Sequence, residues 1–436
     1  MLPLAMKRLL PLLALPLALA SCARGPAADA NGPVVIRFWN GFTGPDGEAM
    51  QGIVDRFNAE QAKTRAAAIQ RKDPIPETVE VHMERIPWGT FYDKLTLSLA
   101  FGGAPDLFVL HTGRFPEYAS HNVLSPLDGD LKAAGITPSL YPAQTWRAAG
   151  WEGRQYALPL DVHPMTLYWN KDLFAKAGIE RPPRDYEEFL AAARKMTVDT
   201  NGDGKPDQWG FAFTNLASNS TLFMNQFGTE MLTPDLGRSA LGERGSREAY
   251  ARMLDLIYRE KVAPKPEGQD AWLSFRNGKV GMVMEGVYMN ADLEKTEGLH
   301  YGGADVPQFG PKPAVWAGSH LLVLPRDAKP RQRAAAWTFA RYASEHSVEW
   351  AKGGQVPARS DVRDTPAFRA LSVQATVASQ LDRIVYEPAS VSLNLVATYR
   401  DSMIEKILNR IGNEDEAIAT AERRTNAVLT RQRSAQ

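Results

Sequence analysis

The hydrophobic pattern of this chain changes period repeatedly, and that alternation limits its folds more than any other feature. Val34 to Trp39 (VVIRFW) is a short apolar run of strand length, followed by a Gly-rich turn over Asn40 to Gly47. Met50, Ile53, Val54 and Phe57 then fall at i, i+3, i+4 and i+7, one apolar face of a helix. The cycle repeats with a strand at Val79 to Ile86, a helix from Trp88 carrying Phe91, Leu95 and Leu99, and a strand at Asp106 to Leu110. Strands alternating with helices predict a mainly parallel sheet with helices on its faces. Ligands of such sheets bind beyond the carboxyl ends of the strands. That places Asn40, Phe42 and Thr43, Trp88, and the pair His111 and Thr112 on one rim. Arg37, Arg85 and Arg114 also fall near strand ends, where alternation points them to solvent or packing. Thr64 to Glu77, polar and basic with Pro74 and Pro76, reads as a surface loop.

A second lobe is expected to begin after Tyr156 to Asp161 (YALPLD). Thr166 to Trp169 and Val280 to Met284 read as strands; Asp172 to Ala177, Tyr186 to Met196 and Arg247 to Tyr258 read as helices. The Gly- and Pro-rich stretch Gly302 to Pro313 suggests a crossing between lobes, and Met403, Ile404, Ile407, Leu408 and Ile411 give the tail a helical apolar stripe. A chain of 436 residues suffices for two or three domains with their own cores. Its 50 basic and 50 acidic side chains cancel, so no global field favours nucleic acid.

The N-terminal stretch has a different character. Lys7 and Arg8 precede an apolar run from Leu9 to Ala20, too short for a membrane span, and Leu19-Ala20-Ser21-Cys22 ends it with small residues before the only cysteine. The expectation is a lipoprotein signal over residues 1–21, a lipidated Cys22, and a flexible tether over 22–33. A lone cysteine excludes an internal disulfide in the body. The body is expected outside the cytoplasm, anchored to a membrane through lipid, in the periplasm or at the cell surface.

The sharpest local motif is Asp199 to Asp207 (DTNGDGKPD). Asp199, Asn201, Asp203, Lys205 and Asp207 occupy positions 1, 3, 5, 7 and 9 of an EF-hand-like calcium loop, with Gly204 at the turn. Position 12 is Gly210 instead of the usual Glu, leaving Gln208 or water to complete the shell; a metal-free Asx/Gly turn is the competing reading. Aromatic and polar residues alternate at Trp39 to Thr43, Tyr168 to Asn170, Glu285 to Tyr288 and Trp316 to His320. Flat rings beside carboxylates, amides and imidazoles suit the C–H faces and hydroxyl edges of sugars. Serine-hydrolase, zincin and P-loop patterns are absent, and the seven His show no metal-ligand spacing. Asp161 and Glu285 are conceivable as a glycosidase carboxylate pair. His163, between Val162 and Pro164, reads equally as a structural histidine or a ligand contact.

Several segments in order resemble an extracellular solute-binding protein of the ABC-transporter sugar-uptake type: RFWNGFTGPDGEAMQGIVDRFN, WGTFYDKLTLSLAFGGAPDLFVLH, LPLDVHPMTLYWNKDLF, DTNGDGKPDQWGF, FRNGKVGMVMEG and GGQVPARSDV. The resemblance implies the α/β, two-lobed periplasmic-binding-protein fold of maltose-binding proteins, each lobe a mainly parallel sheet flanked by helices. It divides the body into 34–160 plus 312–348 and 161–311 plus 349–436, with the ligand between. By position it implies ligand contacts at Asn40, Phe42, Thr43, Trp88, His111, Thr112, Asp161, His163, Glu285, Gly286, Trp316 and Gly318. His163 stands where maltose-binding relatives often carry an acid. The implied function is non-enzymatic: a monomer captures a mono- or oligosaccharide by hinge closure and delivers it to ABC permease subunits, with calcium as the one candidate cofactor. A glycerophosphate-type or uronate ligand, or a glycoside-active enzyme, are the alternatives.

Overall fold

The computed structural model describes residues 32–435; the leader, Cys22 and nearly all of the tether lie outside them. The strand-helix alternation opens as expected with β1 (Val34–Asn40), α1 (Pro45–Arg71), β2 (Val79–Arg85), α2 (Trp88–Ala100) and β3 (Leu107–His111). β1 lies parallel to both β2 and β3, and the sheet is completed by His320–Val323 and Ala157–Pro159, both antiparallel additions. Val34, Ile36 and Phe38 of β1 are buried with Ile53, Val54 and Phe57 of α1. Phe339, on the helix Pro330–Glu345, closes this core edge-on against Phe38 and Phe57 at 5.5 and 5.2 Å.

One helix is longer than its apolar face. α1 runs on to Arg71 through most of the segment expected as a loop, although Thr64 to Arg71 is largely exposed. The run Ala66-Ala67-Ala68, of which only Ala68 is buried, favours helix by propensity, and nothing breaks it until Lys72, at φ 58°, and Pro74 beyond.

The second sheet is built around the ten-residue strand Asp161–Asn170, in the order Ile384–Val385, Val315–Gly318, Asp161–Asn170, Val280–Gly286, Trp209–Phe213. The α/β two-lobed class stands, with one refinement: this sheet is mixed. The central strand is antiparallel to all four of its partners, including Tyr301–Ala304 and Val356–Pro357, and only the outer pairs are parallel. The reason is that successive segments return to one long strand from its far end. Phe189, Phe211, Met282 and Met284 fill its core, and the tail helix Leu393–Leu408 seals it with Val396 and with Met403, Ile404, Ile407 and Leu408 of the expected stripe, whereas Ile411 lies beyond the helix and is exposed.

Two of the chain's three passages between the sheets take a single residue, and the third runs through the helices between Val323 and Val356. Leu160 separates Ala157–Pro159 in the first sheet from Asp161–Asn170 in the second, and Ser319 separates Val315–Gly318 in the second from His320–Val323 in the first. The return crossing therefore falls at Ser319 rather than at 312 or within Gly302 to Pro313, because Tyr301–Ala304 and Val315–Gly318 still pair with the second sheet's central strand. Ser319 Oγ donates to the Asp161 carbonyl at 2.6 Å, clasping the two crossings together. Among the described residues, no helix is long and apolar enough to cross a membrane.

Candidate functional site

A cleft of about 540 Å³ lies between the two sheets, in the size range of small-molecule sites. Strand ends of the first sheet place Thr43, Trp88, His111 and Thr112 on its wall, and His163, Trp316 and Gly318 come from the second. These seven are where the strand-end rule and the resemblance put them. Close approach of rings to backbone is permitted by glycine. A Cβ on Gly41 would stand 2.1 Å from the Trp88 indole, and one on Gly318 would stand 2.3 Å from the His163 ring. Trp88 stacks nearly parallel to His320, with 7° between planes and 6.0 Å between centroids.

Five expected contacts do not line the cleft. Asn40 is fully buried and its Oδ1 accepts the Phe42 amide, shaping the turn. Phe42 turns into the core, packed at 4.5 Å on Trp350 and 4.9 Å on His320. Asp161 is wholly buried. Its Oδ1 accepts the His320 amide, and its Oδ2 accepts His320 Nδ1 and Trp350 Nε1, each at 2.7 Å. Burial would raise this carboxyl, but the His320 imidazole and these hydrogen bonds outweigh it and hold it below its ordinary value. Glu285 accepts the Tyr288 hydroxyl at 2.8 Å and the Gly286 amide at 3.1 Å, and Gly286 leaves room for the Tyr288 ring. Burial dominates there and raises the Glu285 carboxyl. With both acids buried and away from the cleft wall, the glycosidase pair is not in place. A strand end has room for few side chains on the cleft, and the strongest hydrogen-bonding groups turn inward to join the sheets.

The cleft also holds residues outside the expected set. Tyr288 and His320 stand at the ends of two segments that aromatic-polar alternation marks, whereas the resemblance points to their neighbours Glu285 and Trp316. Asp46, Asp292 and Glu387 bring carboxylates. Burial raises the Asp46 carboxyl, against the pull of His320 and the Gly44 and Gly47 amides. Arg114, expected at solvent or in packing, lines the cleft instead. Its guanidinium carbon lies 4.3 Å from the Tyr92 ring centroid, and it pairs with Glu117 at 3.0 Å. α3 (Phe115–Ser120) begins one residue later, so the turn after β3 returns Arg114 toward the cleft. No comparable local pattern marks Asp46, Asp292 or Glu387.

Three histidines meet at the cleft floor. His320 lies 4.9 Å from His111 and 4.8 Å from His163, centroid to centroid. Tyr92 hydroxyl accepts the His111 amide and sits 2.6 Å from His111 Nδ1, so its own proton goes to that nitrogen. Burial, then the neighbouring imidazoles, hold His111 well below its usual value; burial and His320 push His163 down to about 3. Both are neutral at ordinary pH, and neither ring nitrogen of His163 has a hydrogen-bond partner.

The calcium-like loop lies away from this cleft. Asp199 accepts the Gly202 and Gly204 amides at 2.7 and 2.8 Å, Asn201 the Asp203 amide, and Asp203 the Lys205 amide, both at 2.8 Å. Asp207 accepts Thr200 through both amide and hydroxyl. Gln208 donates to the Met196 carbonyl at 2.6 Å. A Cβ at Gly210 would come 2.0 Å from the Ala193 carbonyl, so the twelfth position cannot carry the missing carboxylate. The loop's carboxylates thus accept hydrogen bonds from within the loop itself.

Residues 44–349 match the family model of bacterial extracellular solute-binding proteins. The chain belongs to this family. It is 29% identical over 241 residues to a binding protein of Brucella abortus, a match covering 52% of this chain and 56% of that one, so the chain spans about half the length of these relatives. It is 22% identical over 347 residues to the sn-glycerol-3-phosphate-binding periplasmic protein of Agrobacterium fabrum, covering 72% and 71% of the two chains. Its fold is similar, with a TM-score of 0.75 at 22% identity, to the ABC substrate-binding protein of Listeria monocytogenes solved with cycloalternan, covering 92% of this chain and 100% of that one. This extracellular solute-binding protein thus has the two-lobed fold of its family, and its cleft lies where the lobes meet.

Proposed function

We propose that this solute-binding protein captures a mono- or oligosaccharide in the interlobe cleft and delivers it to the permease of an ABC importer. The observation that carries the reading is the cleft wall itself. Trp88, Tyr288 and Trp316 offer aromatic surface from both lobes, and imidazoles and carboxylates between them suit hydroxyl edges. Residues from both lobes must touch the ligand, because closure is driven only by contacts better made in the closed state. The solved relative in complex with cycloalternan lends the carbohydrate class.

A glycerophosphate ligand is the second reading, favoured by the Agrobacterium relative. The cleft offers it little: its one guanidinium, Arg114, is already engaged by Glu117, and beside it stand carboxylates, Asp46, Asp292 paired with Arg276, and Glu387 paired with Arg400. A phosphate needs converging donors. A thermal-shift screen of the leaderless protein decides, since a ligand of the folded state raises apparent stability. Stabilisation by saccharides and none by sn-glycerol 3-phosphate supports the proposal; the reverse pattern overturns it.

Anchoring through a lipidated Cys22 and action as a monomer outside the cytoplasm belong to the same reading. A Cys22→Ala variant expressed in bacteria is expected to leave the membrane fraction; retention there counts against the anchor. A structural calcium ion at Asp199 to Asp207 completes it.

A further inference from the structure

The floor of the cleft contains a buried group that nothing in the protein satisfies. His163 is 5% exposed, and both its ring nitrogens lack a hydrogen-bond partner. An unmade bond of this kind costs about 1–3 kcal/mol, so the ring is held there against a penalty. Its seat is shaped for it, because only a glycine at 318 leaves space for the imidazole.

The groups around it are arranged to supply a second nitrogen. His320 is tied through Nδ1 to Asp161, which fixes the ring and points its Nε2 away from that carboxylate. Asp161 is locked in turn by Trp350 Nε1 and the His320 amide. A carboxylate behind an imidazole is the outer-shell arrangement that orients a metal-binding histidine and raises its basicity. Among the described residues, Asp161, His163 and His320 form the only group of three such side chains whose candidate ligand atoms all lie within 4.8 Å of one another. Both Asp161 oxygens are already committed to His320 and Trp350, so the nitrogens of His163 and His320 are the donors proposed. Its negative charge balances a cation without touching it.

We infer that the cleft floor is a binding site for a divalent transition metal of the zinc, copper and nickel class, with His163 and His320 as ligands and Asp161 as the positioning residue behind His320. Imidazole donors select such cations over calcium or magnesium, which take oxygen. Both histidines line the cleft, so positions they leave unfilled would fall to water or to hydroxyls of a bound polyol. The site stands apart from the saccharide reading, since it needs no sugar to form.

The test is calorimetric titration of the metal-stripped protein with ZnCl₂ alone, no saccharide present. The background is a His82→Ala/His300→Ala variant, which removes two exposed histidine–carboxylate pairs able to bind zinc adventitiously. One saturable equivalent is expected, weakened at least tenfold by His163→Asn and by His320→Gln. No saturable binding, or binding indifferent to both changes, overturns the site. Should either variant misfold, Cu²⁺ in the same background decides by electron paramagnetic resonance. Hyperfine coupling to imidazole nitrogen supports the site, and an oxygen-only spectrum overturns it. Saccharide binding is scored separately, so either conclusion can fail alone.

Discussion

Two places in this chain bear on cation binding, and they are built in opposite ways. The loop Asp199 to Asp207 is nine consecutive residues, exposed, with each carboxylate accepting bonds from the loop's own amides or hydroxyl. The cleft floor joins residues 157 to 159 positions apart, is buried, and holds an imidazole with no partner. The first carries a cation motif in its sequence, and its carboxylates already accept hydrogen bonds within the loop. The second has no motif and has an unmet bond. Residue spacing marks the loop, whereas only the hydrogen-bond inventory across the fold marks the cleft floor.

The largest effect should come from Asp161→Ala. It strands the His320 amide, His320 Nδ1 and Trp350 Nε1 together, and loss of one partner in a buried charged network costs about 3–5 kcal/mol. Denaturant unfolding measures it; a cost below about 1 kcal/mol would deny the cleft floor its structural tie. Next, Trp316→Ala should weaken saccharide binding by about 1–3 kcal/mol, by analogy with base stacking on aromatic rings. Unchanged calorimetric affinity in a folded variant would remove Trp316 as a platform.

Glu285 sharpens the contrast with Asp161, since two buried carboxyls move in opposite directions. The His320 imidazole, by charge and by hydrogen bonds, outweighs burial at Asp161, whereas burial wins at Glu285. A carboxyl raised on folding contributes stability below its unfolded value, near about 4.3, that is lost as pH rises through the folded value. Glu285→Gln keeps an acceptor for Tyr288 and Gly286 and escapes that loss. The variant should be more stable at about pH 7, by about 1.4 kcal/mol for each tenfold rise in the carboxyl's proton affinity on folding, and the gain should fade below about pH 4. A gain that persists in acid would point to packing instead. The smallest effect is expected at Asp199→Ala in calcium-free buffer, about 0.5–1 kcal/mol, as for loss of a capping side chain. If the loop binds calcium, added CaCl₂ raises the melting temperature of the parent and not of the variant; equal response of the two discards the ion.

The same distinction governs what is legible in the sequence. β1, α1, β2, α2 and β3 follow from short-range periodicity, and the strand-end rule correctly brings Trp88, His111 and Thr112 to the cleft. The end of α1 escapes the periodic pattern because its last two turns are held by alanine propensity with little burial. The second lobe is harder to read, since the central strand's role depends on partners scattered from Val280 to Val356. Within each aromatic-polar segment the right stretch is visible but not the right member, as with His320 two residues beyond Gly318. Whether a side chain at a strand end faces ligand or sheet depends on its partner across the chain, and Trp350 is 189 residues from Asp161.

The one-residue crossings at Leu160 and Ser319 act as a fulcrum. Any rotation of one sheet against the other displaces atoms in proportion to their distance from it, so the far rim sweeps widely and the fulcrum scarcely moves. Asp161, Ser319 and His320 sit on it, clasped by the bond from Ser319 Oγ to the Asp161 carbonyl, with His163 two residues along the same strand. Under such a rotation the imidazole pair would be the part of the cleft least displaced, a bearing close to the axis.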